Sequence, residues 1–167
     1  MRLEILHYPD PRLNEVSKPV QAFDSSLHGL LDDMAETMLH AGGIGLAAPQ
    51  VDHRIRVFIV DLTGQDGYPQ QRFEFINPVI SNGRGKVSFD EGCLSVPGLS
   101  ESVTRKNYVT VQYQDRLGNR RTLEAEGLLA VAIQHENDHL DGVLFIDRLS
   151  ALQRALAKRK LRRQVTL

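Results

Sequence analysis

Apolar residues along this chain recur at two spacings, and the switches between them mark out its elements. Leu27, Leu30, Leu31, Met34 and Met38 follow intervals of three and four, the spacing that lines one face of a helix. Asp24 or Ser25 can cap its start and Gly42-Gly43 ends it, so a helix is predicted from Asp24 to about His40. Ile55 to Leu62 and Phe73 to Ile80 are instead dense in β-branched and aromatic residues, with turn formers between them, and read as strands. Val87 to Phe89 reads as a short strand, and Tyr108 to Gln114 with Arg121 to Ala125 as a hairpin turning at Leu117-Gly118-Asn119. Helical spacing returns from about Glu126 to Leu140, where Leu128, Leu129, Ala132 and Ile133 face a core and Gly142 is the stop. A last helix runs from about Ser150 to Arg163 on Leu149, Leu152, Leu156 and Leu161. Ahead of all these, the two prolines of Ile5 to Leu13 break regular structure and predict an extended arm over the body. Strands in the middle with helices on either side give an α+β fold.

Composition narrows this picture without redirecting it. A chain of 167 residues predicts one domain, residues 1–167, able to bury about 70% of its unfolded surface without disulfides. Hydrophobic residues are 41%, charged residues 25% and the net charge is -1, so nothing global points to nucleic acid or a membrane. No apolar run is long enough to span a bilayer, and Met1 to Leu6 lacks the pattern of a signal peptide, which makes the cytoplasm the expected location. A single cysteine agrees with a reducing compartment. Charge is uneven at one end only: from Asp147 onward there are seven basic residues and a single acid. As a solvated helix face these cations are unremarkable; as a patch they could meet phosphates.

The chemistry lies in Gln134-His135-Glu136-Asn137-Asp138-His139. Helical residues four apart differ by only about 40° around the axis, so His135 and His139 can grip one metal ion. Glu136 points roughly 100° from His135, and can face a water as general base without being a ligand. The remaining histidines, His7, His28, His40 and His53, have no such spacing. The candidate third ligand is the lone Cys93, in Glu91-Gly92-Cys93-Leu94-Ser95, with no second cysteine to compete for a disulfide. Three protein ligands leave a position for water, the arrangement of a catalytic site. Two imidazoles and a thiolate suit Zn2+, and they also bind Fe2+, Co2+ or Ni2+.

Three separated strings, Gly43-Ile44-Gly45-Leu46-Ala47-Ala48-Pro49-Gln50, Glu91 to Ser95 and Gln134 to His139, together resemble the peptide deformylases. The likeness covers almost the whole chain, including the Pro9 to Leu13 arm and Gly127-Leu128-Leu129-Ala130. It implies a fold of mostly antiparallel sheets around a central metal-binding helix, and removal of formyl from the N-terminal methionine of nascent proteins. By resemblance, Gln50 and the backbone N–H of Leu94 face the formyl oxygen, and Glu136 returns its proton to the leaving amine. Gly43 and Gly45 let the backbone line a narrow cleft. The peptide adds as a strand beside the segments near Ile44 and Gly92. Ile44, Leu128 and Ile133 match the methionine pocket, with Leu94 close by. Where some bacterial relatives carry an arginine after the cysteine string, this chain reads Val96-Pro97-Gly98-Leu99-Ser100. The resemblance implies Fe2+ as the cellular metal, with Zn2+, Ni2+ or Co2+ in purified protein, and adds a ribosome contact through the basic C-terminal helix, about residues 150–163. Two rivals stand beside it: a zinc endopeptidase cleaving internal peptide bonds, and a binding module that uses metal only to fold and the basic helix to hold RNA.

Overall fold

The computed structural model describes residues 1–165, in three helices and seven strands. In chain order these are α1 (Ser25–His40), β1 (Gly45–Ala47), β2 (Val57–Asp61), β3 (Arg72–Arg84), β4 (Val87–Cys93), β5 (Val96–Arg105), β6 (Tyr108–Gln114), β7 (Arg120–Glu126), α2 (Leu128–Leu140) and α3 (Ala151–Val165). Strands β1-β2-β3-β6-β7 form one antiparallel sheet in that order, and β4 pairs with β5 in a separate hairpin. The architecture is α+β.

The sheet is covered on both faces because β2 is apolar on both. Phe58 and Val60 point to one side, where they join Phe75, Val109, Val111 and Ile133 of α2. Val57 and Ile59 point to the other, against Leu31, Met34 and Met38 of α1. Alternation along a strand sends successive side chains to opposite faces, so a continuous apolar run marks a strand buried on both. A third apolar cluster joins Leu13 of the N-terminal arm, Val96 and Val103 of β5, Phe145, and Ala157 and Leu161 of α3. Each fully buried side chain of this size contributes about 1.5–3 kcal/mol. Helix α2 thus has the sheet on one side and the hairpin on the other, and ten of its thirteen residues are buried.

Several boundaries differ from the sequence reading for physical reasons. Helix α2 begins at Leu128, not Glu126, because Glu126 still pairs with Tyr108 in the sheet and Gly127 makes the turn at φ 63°. The short strand expected at Val87–Phe89 is the start of a hairpin that continues to Arg105. Strand β1 was not expected, because a stretch of Gly, Leu and Ala has neither alternation nor β-branching. The arm from Ile5 to Leu13 does lie across the body: Leu6 N–H donates to the Gln50 carbonyl at 2.7 Å and Tyr8 N–H to the Ser95 carbonyl at 2.7 Å. It ties together two of the three segments that meet at the site.

Candidate metal centre

Cys93 closes β4 while His135 and His139 lie a turn apart on α2, and their ligand atoms all come within 4.8 Å of one another. Cys93 Sγ is 3.4 Å from His139 Nε2. Ligands about 2.0–2.3 Å from a shared tetrahedral ion lie roughly 3.3–3.8 Å apart, so a divalent cation fits this donor set. His139 Nδ1 and Glu136 Oε1 are buried with no hydrogen-bond partner among the described residues.

The histidine rings are held from behind. His135 Nδ1 pairs with Glu91 Oε1 at 2.8 Å, which leaves Nε2 as its ligand atom, and the ring stacks on Phe145. Glu91 in turn accepts two bonds from Arg105, at 2.7 and 3.0 Å, and Arg105 reaches Asp138 at 3.0 Å. Arg148 closes the series with two bonds to Asp138, at 2.8 and 3.0 Å. In the sequence Glu91 and Asp138 stand out only as members of their strings, and nothing in the pattern singles out Arg105 or Arg148. An arginine ending a strand reads as a surface charge until its carboxylate partners, 14 and 33 residues away, are seen beside it.

Charge at the centre is uneven before any cation arrives. Burial opposes a charged His135, but Glu136, Cys93 and Glu91 outweigh it and hold its pKa well above the ordinary value. His139 is held well below, by burial first and then by the charges of His135 and Arg105. Burial pushes Glu136 up to about 7, against the pull of His135. Glu91 stays below the usual carboxylate range: burial raises it, yet His135 and Arg105 together more than offset that.

Gln50 is 1% exposed and its amide is fixed at both ends. Its Oε1 accepts from Ala47 N–H at 2.9 Å, while Nε2 donates to Ser95 Oγ at 3.1 Å and lies 3.5 Å from Cys93 Sγ. The donor end therefore faces Cys93. Leu94 sits in the β4–β5 turn, where Cys93 pairs with Val96. The close packing around it explains two glycines: a Cβ on Gly43 would stand 2.8 Å from Leu94 Cδ1, and one on Gly45 2.6 Å from Glu136 Oε2.

An open cavity of about 390 Å³ lies over these groups, lined by Gly43, Ile44, Gly45, Gln50, Gly92, Cys93, Leu94, His135 and Glu136. Leu128 lines it too, but Ile133 does not. Ile133 is fully buried against the sheet with Phe58 and Val109, and the apolar wall comes instead from Phe89, Val131 and Ala132. This corrects the pocket expected from the sequence.

The geometry agrees with what the chain resembles elsewhere. The polypeptide deformylase family profile matches residues 2–155. A peptide deformylase of Chromobacterium violaceum is 50% identical over 162 residues, 97% of this chain and 95% of that protein. One from Helicobacter pylori is 49% identical, covering 96% and 93%. The crystal structure of a peptide deformylase from Legionella pneumophila superposes with TM-score 0.91 at 43% identity, covering 99% of this chain and 96% of the other. That of the Ehrlichia chaffeensis enzyme in complex with actinonin gives 0.90 at 39%, covering 98% and 97%.

Proposed function

Because the chain belongs to the polypeptide deformylase family, and so is a hydrolase that removes formyl groups from the N-termini of new peptides, we propose that Cys93, His135 and His139 hold its metal and Glu136 moves the protons. The observation that supports these assignments best is convergence. His135, Cys93 and the buried carboxylate of Glu136 line a cavity bordered by the edge strand β1, and His139 Nε2 lies 3.4 Å from Cys93 Sγ. The ion supplies Lewis acidity, making a water acidic near neutral pH and polarising a carbonyl.

The residues of the chain do the rest. Glu136 takes a proton from the attacking water as its oxygen bonds to the formyl carbon. The oxyanion that forms accepts hydrogen bonds from Gln50 Nε2 and Leu94 N–H; one such donor is worth about 3–4 kcal/mol in the barrier. Glu136 then gives its proton to the departing nitrogen as the C–N bond breaks, leaving formate and a free methionine amine. The first methionine side chain enters the apolar wall of Phe89, Leu128, Val131 and Ala132 beside Ile44, and the backbone adds to the free edge of β1.

The finer readings follow from chemistry and resemblance. Fe2+ is the proposed cellular ion, with Zn2+, Ni2+ or Co2+ taken up on purification, since this donor set binds all four. Residues 1–167 act as one catalytic domain. Its substrates are N-formylmethionyl nascent peptides in the cytoplasm, met at the ribosome through the basic face of α3. No described helix is long and apolar enough to cross a membrane.

The test is formate release from a formyl-Met peptide by protein prepared without oxygen and supplied with ferrous iron, beside Glu136→Ala. Wild type should release formate, and the variant should keep its metal while losing at least about 100-fold in rate. Near-normal turnover by Glu136→Ala would remove Glu136 from its role. No release by metal-loaded wild type, with cleavage of an unformylated protein, would favour an endopeptidase.

A further inference from the structure

The connection between β2 and β3 spans residues 62–71, longer than joining two antiparallel neighbours requires. It is not slack. Gln70 staples it from within, its Oε1 accepting from Gly64 N–H at 2.8 Å and its Nε2 donating to the carbonyls of Gln65 and Tyr68, each at 3.0 Å. Two of its side chains turn inward: Leu62, buried in the sheet core, and Tyr68, half-buried against it.

That phenol meets the start of α2. The first N–H groups of a helix need acceptors from outside it, which the residue before the helix usually supplies. Here that residue is Gly127, which has no side chain to offer, and the acceptor comes from 60 residues away: Leu128 N–H donates to Tyr68 Oη at 2.7 Å. The fit is close, since a Cβ on Gly127 would stand 2.5 Å from the same oxygen. Leu128, which opens this turn, lines the cavity, and seven residues further along the helix is His135.

We infer that Tyr68 is a positioning residue for substrate selection: its hydroxyl caps the catalytic helix at Leu128 and so fixes the wall against which the first side chain of the substrate packs. This rests on the deformylase reading of the cavity. Tyr68 touches no reacting atom, so its loss moves Leu128 and leaves Glu136 and the metal ligands in place.

The experiment compares wild type, Tyr68→Phe and Gln70→Ala, all loaded with the same metal, on formyl-Met-Ala-Ser and formyl-Leu-Ala-Ser. Tyr68→Phe keeps the ring and removes one acceptor. Its KM for the Met peptide should rise about three- to tenfold, as expected for one lost hydrogen bond at a part-buried donor, with kcat within about twofold. The preference for Met over Leu should narrow by a similar factor, and the Leu128 amide should exchange its proton faster. Gln70→Ala, which loosens the loop without altering the phenol, should move KM and preference in the same direction. If both variants only melt earlier, with KM, preference and Leu128 exchange unchanged, the cap is merely structural and the proposal is overturned. If wild type releases no formate from either peptide, the deformylase reading fails and takes this proposal with it.

Discussion

A methyl group is enough to disturb the proposed base. Adding one at Gly45 puts a carbon 2.6 Å from Glu136 Oε2, so Gly45→Ala should push the carboxylate aside while the metal ligands stay put. Turnover should fall by about 10- to 100-fold, part of what a general base contributes, with metal content unchanged; a kcat like wild type would show that Glu136 need not be where it lies. The carboxyl also gives a pH signature in metal-free protein. Its folded pKa, about 7, exceeds the ordinary 4.5, so the folded chain holds a proton that the unfolded chain releases. Its stabilising contribution is therefore complete below 4.5 and lost as pH rises through 7. Urea unfolding of metal-free wild type, minus that of Glu136→Gln, should show a decline on the order of 3 kcal/mol across that window. A flat difference would contradict a buried neutral acid. The histidine pair and Glu136 stand out in the sequence because spacing on a helix depends on local geometry alone, and Cys93 stands out because the chain has no other cysteine. Ile133 was misread although the same geometry argues against it. It lies roughly 160° around the axis from His135, whereas residues 128, 131 and 132 fall within about 60° of that ring.

Between elements, the site depends on contacts that periodicity does not reveal. Strand β5 escaped notice because its exposed positions carry Pro97, Gly98, Ser100 and Ser102, which read as loop, while Val96, Leu99, Val103 and Arg105 turn inward. The hairpin it forms with β4 brings Glu91 to His135 and Arg105 to both Glu91 and Asp138. Arg105→Leu should therefore do two things at once. It leaves two buried carboxylates short of their cation, costing about 3–5 kcal/mol in urea unfolding. It also releases Glu91 from its fixed geometry, weakening metal retention by about 10- to 100-fold in competition with a chelator. Loss of stability with metal affinity intact would mean that Glu91 orients His135 without help from Arg105. Helix α2 is tied at its far end as well: Gly142, at φ 74°, lies directly against the Asn14 backbone carbonyl, with no room for a Cβ. Gly142→Ala should cost on the order of 2–4 kcal/mol, read from the same unfolding curves, and an unchanged midpoint would mean that the N-terminal arm gives way freely.

Across the whole molecule charge nearly cancels, at a net -1, yet α3 gathers its cations on one helix. That helix has two jobs that a test must separate. Ala157 and Leu161 are buried in the cluster that also holds Val96 and Phe145, so deleting α3 would uncover apolar surface beneath the hairpin that carries Cys93. Loss of ribosome binding after such a truncation would say little about charge. Lys158 and Arg159 are better targets, since both are at least partly exposed and neither forms an ion pair among the described residues. Changing both to Gln should leave formate release from a free formyl-Met peptide within about twofold of wild type, because neither lines the cavity. Cosedimentation with ribosomes at low salt should fall, and the slope of log affinity against log salt should flatten by about 1 to 2, as expected for two lost phosphate contacts. If binding and slope are both unchanged, the cations of α3 are a solvated face and the nascent chain is met in solution. If binding falls with no change in slope, contact runs through the apolar side chains left bare on the same helix, Leu152 at 71% exposed and Leu156 at 50%.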